Sequence, residues 1–225
     1  MPADPLPLAP LLAQQLRLLV ADPRAVVDLR RYFGIGLPPG QAAFTGSRFE
    51  QLAGGGDRPE IADQITAEDL VAVQTLSVTV PAEVALDLLE GELGAELSDL
   101  LRQVPTGVEL ADAAEAEVRP GSPAFRAWQL LEAQPGVGWV IAGKVLARKR
   151  PHLLPVYDRV VRCALGSPRP YWLALHAALR ENGRALHREL LTLARAAGVP
   201  ETIGALRVCD VVVWMAHRTG HRNCS

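Results

Sequence analysis

The chain has 225 residues, 49% of them hydrophobic and 21% charged, a balance that excludes a disordered chain and suits one large core or two modest ones. No early apolar run reaches membrane-spanning length, because Leu6 to Val20 is broken by Pro10, Gln14, Gln15 and Arg17 and lacks a basic leader and a small-residue cleavage site. The expectation is a cytoplasmic protein with no membrane partner and, since Cys163, Cys209 and Cys224 form no recognisable framework, with reduced thiols.

Taken in chain order, nearly every segment carries helical periodicity, with proline and glycine as punctuation and no run of strict alternation. The sequence predicts an all-α fold. Leu8 to Val20 and Arg24 to Tyr32 are the first two helices, the second opened by Asp22-Pro23 as cap and first-turn proline. Gly34 and Gly36 precede Pro38-Pro39, which forbids a phosphate-binding helix start there, so this stretch is a connector. From residue 34 to 58 the chain reads as one long irregular loop. Thr66 and Asp69 form an approximate capping box for a helix from Ala67 to about Ser77, and Pro81 opens another.

Acidic amphipathic segments follow to Glu117, and Arg119-Pro120-Gly121-Ser122-Pro123 is the best linker. Ser122 as cap and Pro123 at the first turn start a helix with Phe125, Trp128 and Leu131 on one face. Beyond Asp158 the pattern gives Arg159 to Leu165, Tyr171 to Glu181, Ala185 to Ala197 and Ile203 to His217. Val211-Val212-Val213-Trp214 is compatible with a buried strand, but the flanking periodicity favours a core helix.

Divided after Val118, the sequence has 7 Lys and Arg against 19 Asp and Glu in its first part, and 16 against 6 in its second. The predicted organisation is an acidic helical region, 1–118, and a basic region, 119–225, forming one compact unit with a central cleft. An acidic half beside a basic one points to a polyanion on one side, set against basic helices that are merely solvated.

The chemistry is concentrated in Pro135-Gly136-Val137-Gly138-Trp139-Val140-Ile141-Ala142-Gly143-Lys144 and in Pro155-Val156-Tyr157-Asp158, whose aspartate stands 20 residues after Gly138. Two glycines one residue apart let two helices meet in a tight turn whose amides can approach a phosphate, since neither carries a Cβ. Asp158 opens the next helix with a fixed negative charge. An N-terminal dipole and free amides favour its ionised form, though Asp is also among the best capping residues and would sit there without any chemistry.

These residues resemble the helix-hairpin-helix DNA glycosylase superfamily, the likeness being carried by Leu130-Leu131, Pro135-Gly136-Val137-Gly138, Ala142, Pro155-Val156 and Asp158 in order and spacing. A weaker similarity covers Glu68-Asp69-Leu70-Val71-Ala72-Val73 to Thr79, like that family's early helix ending near a DNA-wedging loop. Lys149-Arg150-Pro151 with Pro155 and Asp158 also resembles an uncharacterised actinobacterial family, the domain of unknown function 6308.

The glycosylase resemblance implies a two-part helical fold, duplex DNA as partner, DNA repair as the setting and monofunctional hydrolysis of the N-glycosidic bond of a modified base. Asp158 would be the catalytic carboxylate stabilising an oxocarbenium-like sugar. Gly136, Val137 and Gly138 would anchor a phosphate, with Lys144, Arg148, Lys149 and Arg150 as further contacts, against a solvated helix end favoured by the C-terminal dipole. Val140 stands where strand-cutting members carry a Schiff-base lysine, which disfavours lyase chemistry.

Trp139 and Tyr157 are candidates for the base pocket, Trp139 with the competing role of bracing the turn. The segment Ser77-Val78-Thr79-Val80 aligns with the wedge but lacks a long amide or aromatic plug. No organic cofactor is implied; hairpin carbonyls of the family can hold a monovalent cation. His217, His221, Cys224 and Cys209 have metal-like spacing, but Gly220 interrupts the helix, so no metal site is predicted. The alternative to the enzyme is a non-enzymatic helix-hairpin-helix DNA-binding protein, and a third reading keeps only the fold.

Overall fold

A computed structural model describes residues 8–220, and among these residues there is helix, turn and irregular chain but no β-strand. The all-α prediction therefore holds. In chain order the helices are α1 (Leu8–Ala21), α2 (Arg24–Phe33), α3 (Ala67–Gln74), α4 (Ala82–Glu90), α5 (Glu92–Leu101), α6 (Glu115–Val118), α7 (Pro123–Glu132), α8 (Trp139–Lys149), α9 (Arg159–Ala164), α10 (Tyr171–Ala197) and α11 (Ala205–His217). Two short 3-10 turns, Thr45–Arg48 and Leu52–Gly54, lie in the long loop. No helix among the described residues is long and apolar enough to cross a membrane.

Local chemistry sets the helix ends. Thr66 accepts from the Asp69 amide and Asp69 accepts in return from the Thr66 amide, a complete capping box for α3. Ser122 caps α7 through the Phe125 amide at 3.1 Å, with Pro123 at the first position, where its missing N–H costs nothing. Helix α10 is interrupted by non-helical backbone at Glu181, Asn182, Gly183 and Arg184, which is where the sequence separates two helices.

The backbone sorts into two units that interleave along the sequence. Unit 1 comprises Met1–Phe44, Leu110–Glu115 and Tyr157–Ser225, and unit 2 comprises Thr45–Glu109 and Ala116–Val156. A boundary after residue 118 falls inside unit 2. The charge asymmetry is redistributed as a result: unit 1 carries 14 Lys and Arg against 10 Asp and Glu, whereas unit 2, which contains the hairpin, carries 9 against 15. The hairpin thus belongs to a net acidic body.

In unit 1, α11 is the central element and packs against α1, α2, α9 and α10. Every residue from Ala205 to Val213 is buried, so the valine run belongs to a core helix surrounded on all sides rather than to a strand. Two charges lie inside it. Arg207 pairs with Asp210 one turn on and donates to the Tyr32 hydroxyl at 2.6 Å, so neither charge is buried alone. Tyr32, Phe44 and Trp214 close this side of the core in an edge and face cluster.

In unit 2, α7 and α8 pack as a pair, α5 covers α7, α4 joins α5, and α3 lies on α8. Residues 142–149 of α8 are all buried, including Lys144, Arg148 and Lys149. This is the helix on which the unit is assembled.

Candidate nucleic-acid hairpin and carboxylate

The hairpin forms as the sequence predicts, and its turn is explicable residue by residue. The Val137 amide donates to the Gln134 carbonyl at 3.0 Å across Pro135 and Gly136, with Gly136 at φ +75°. That is the type II turn pattern, proline at the second position and a left-handed glycine at the third. Any Cβ at Gly136 would also meet Pro81 Cγ at 2.9 Å. Val137 is 3% exposed and anchors the turn in the core, leaving Gly136 and Gly138 on the surface.

Gly138 begins α8 with no side-chain cap, and the first turn of a helix has amides without intrahelical acceptors. The turn therefore directs exposed backbone and a positive dipole end outward. Trp139 is half-buried, and its carbonyl accepts from the Trp128 indole at 3.4 Å, while Trp128 itself stacks on Phe125. The backbone at Trp139 thus ties the start of α8 to α7.

The segment Ser77-Val78-Thr79-Val80 lies beside the hairpin in unit 2. Lys144 donates to the Leu76 carbonyl at 2.9 Å, Pro81 abuts Gly136, and Ser77 sits at φ +60°. Ser77 and Thr79 are exposed, while Val80 is buried. The loop is positioned, but it still carries no large plug.

The four cations read as phosphate contacts are placed otherwise. Lys144, Arg148, Lys149 and Arg150 are 4%, 1%, 0% and 2% exposed. Arg148 donates to Asp69 and to the carbonyls of Phe49, Glu50 and Leu52, each at 2.7–2.8 Å. Lys149 donates to Asp69 Oδ2 and the Ile61 carbonyl, both at 2.8 Å. Arg150 spends all five of its donors internally, on Val104, Ala62, Lys149, Asp63 and Leu101. Arg148 fastens the irregular loop to α8, Lys149 and Arg150 tie in residues 61–63 and the end of α5, and Lys144 holds the chain just after α3, so all four are turned inward. Burial lowers the affinity of Lys149 and Arg150 for their protons, with Asp69 and Asp63 opposing that effect.

Asp69 is the site residue that sequence reasoning leaves as a cap alone. No local signal marks it, because Lys144 and Arg148 lie four residues apart on one face of α8, a pattern that suits solvent as well as an internal partner.

Asp158 lies in unit 1 and is half-buried at the start of α9. Its Oδ1 accepts from the Val160 amide at 2.9 Å and the Val161 amide at 3.0 Å. The capping role is therefore real, and it fixes the carboxylate's direction. The surroundings are phenolic: burial raises the pKa of Tyr32 and pushes that of Tyr171 well up, and the nearby Asp158 charge adds to both effects. Tyr157, half-buried, stacks on Tyr171 with ring centroids 3.9 Å apart and planes 15° from parallel.

Cys163 is disulfide-bonded, contrary to the prediction of three reduced thiols, whereas Cys209 is free and buried, its pKa pushed up to about 12 by desolvation. His221 and Cys224 lie outside the described residues, and among the described ones no three metal-ligating side chains cluster.

One family model, that of a family of unknown function (DUF6308), matches residues 25–217. The chain belongs to this family. The match takes in both glycines of the hairpin, Asp158 and the Asp69 cluster. No curated protein and no solved structure matches the chain.

Proposed function

We propose that this member of the family is a helix-hairpin-helix protein of the DNA glycosylase type, gripping duplex DNA with the Gly136 to Gly138 turn and hydrolysing the N-glycosidic bond of a modified base with Asp158. The observation that carries the reading is the hairpin: an exposed type II turn whose second glycine opens a helix, a geometry suited to accepting a backbone phosphate on amides. Asp158, held in one direction by two amides, is suited to stand beside a developing cationic sugar. Trp139 and Tyr157 are the aromatic candidates for holding the base. Val140, a hydrocarbon in the lyase lysine position, limits the chemistry to hydrolysis.

Residues 133–138 hold no side-chain carboxylate, so a monovalent cation at the hairpin would rest on backbone carbonyls alone.

Asp158→Asn is the discriminating variant, because asparagine caps a helix about as well as aspartate and so leaves α9 intact while removing the charge. Duplexes with deaminated, oxidised or alkylated bases are incubated with each protein and abasic sites are scored. The reading requires abasic sites that vanish in the variant; turnover untouched by the substitution would sink it.

The second reading is a non-enzymatic DNA-binding protein, favoured by Val140 in place of a lysine and by the missing plug at residues 77–80. It gains if duplex binding is measurable, depends on the hairpin and is accompanied by no base release.

A further inference from the structure

Unit 1 has an arginine-rich segment that no part of the proposed function uses. Between Asp158 and Glu181 the chain holds no carboxylate and four arginines, Arg159, Arg162, Arg169 and Arg180. Arg180 is engaged within unit 1, donating to the Ala113 carbonyl at 3.1 Å. The other three gather around the candidate carboxylate.

Arg159 follows Asp158 directly and Arg162 lies one turn further along α9, so the two leave the helix on the same side. Arg162 Nε donates to the Ser167 hydroxyl at 3.1 Å, which ties α9 to the loop that follows it. Arg169 stands two residues before Tyr171, and because Tyr171 stacks on Tyr157 with centroids 3.9 Å apart, the end of that loop returns beside the residue that precedes Asp158. Burial raises the pKa of the Tyr157 phenol while the charges of Arg162 and Arg169 oppose the rise, so both guanidiniums lie within electrostatic reach of its ring. Arg159 and Arg169 are exposed, and among the described residues neither is in an ion pair. A carboxylate that works beside a nucleotide is repelled by the phosphates flanking it, and cations placed around it offset that repulsion.

We infer that Arg159, Arg162 and Arg169 form the phosphate-contacting surface around Asp158, holding the duplex backbone on either side of the nucleotide presented to that carboxylate, which rests on the DNA reading proposed above. They supply the backbone contacts that Lys144, Arg148, Lys149 and Arg150, turned inward, do not.

The test is an anisotropy titration of the full chain with an undamaged duplex at salt concentrations from about 50 to about 200 mM. Arg159→Gln and Arg169→Gln should each weaken binding about threefold to tenfold and lower the salt slope by about 0.9, and the double variant should lower it by about twice that. Arg162→Gln should lower the slope, whereas Arg162→Lys and Arg169→Lys, which keep the charge, should keep it. Arg195→Gln, at an exposed position elsewhere in unit 1, should change neither affinity nor slope. The helical circular dichroism is expected to be the same throughout. Native binding with a slope unchanged in the double variant would overturn the arginine surface and leave the hairpin reading standing, and an equal loss in Arg195→Gln would overturn it too. Absence of salt-dependent duplex binding by the native chain would overturn the DNA reading and the arginine surface together. Slopes that fall as expected in a protein that releases no base would uphold the arginine surface and remove the hydrolase.

Discussion

Asp69 meets Arg148 through Oδ1 at 2.8 Å and gives its other oxygen to the neighbouring Lys149, also at 2.8 Å, with the side chains of all three no more than 2% exposed. One carboxylate thereby balances two consecutive cations, while its Oδ2 also caps α3 through the Thr66 amide.

Asp69→Asn should accordingly be among the most damaging single changes in unit 2. It keeps the shape and leaves two buried cations without a counter-charge, which costs about 3–5 kcal/mol for a broken buried pair. Urea unfolding followed by circular dichroism measures this, and a loss under about 1 kcal/mol would show the cluster to be solvated in practice.

Gly56 is the second sensitive point, for steric reasons alone. A Cβ there would lie 2.6 Å from the Arg148 carbonyl oxygen and 2.7 Å from both Arg148 Nε and Asp69 Oδ1. Gly56→Ala should destabilise by about 1–3 kcal/mol or more, since neither the helix backbone nor a paired charge can withdraw freely. The same unfolding assay reads it.

The two hairpin glycines should separate stability from binding. Gly136→Ala is strained by its φ of +75° and by Pro81, and should lose about 1–2 kcal/mol. Gly138 has φ −82° and open space around its missing Cβ, so Gly138→Ala should leave stability within about 0.5 kcal/mol. If that turn receives a phosphate, the added methyl weakens duplex binding in an anisotropy titration without a change in thermal midpoint. Unaltered binding would place the DNA contact elsewhere.

A pH effect is expected from His152. Its ring Nδ1 is 2.9 Å from Glu109, and this hydrogen bond, followed by the carboxylate's charge, raises its pKa above the ordinary 6.5 in spite of partial burial. A raised folded-state value means that the pair's contribution is complete below 6.5 and disappears as pH climbs through the folded value. The stability gap between the native chain and Glu109→Gln should therefore be wider at about pH 5.5 than at about pH 8.5, as read from melting temperatures. A gap that widens with pH would reverse the assignment.

The contrast between what could and could not be read from sequence follows the range of the forces involved. Thr66, Ser122 and Asp158 were legible as caps, and Gly136 as a turn, because each acts on amides within three residues of itself. The break at Asn182-Gly183 was legible for the same reason. The interleaving of the two units was not, since Tyr157 onward rejoins the first 44 residues through packing that leaves no periodic trace. Arg148 near a helix end suits solvent as well as a dipole, and only the orphan carbonyls of a loop nearly a hundred residues earlier show why it is inside.

That distance has a consequence for how the chain is made. Phe49 leaves the ribosome 99 residues ahead of Arg148, whose guanidinium accounts for its carbonyl in the folded protein. At ordinary translation speeds the interval is roughly 5–20 s. Throughout it only water can satisfy those oxygens, so the docking of the loop against α8 waits for the synthesis of Arg148.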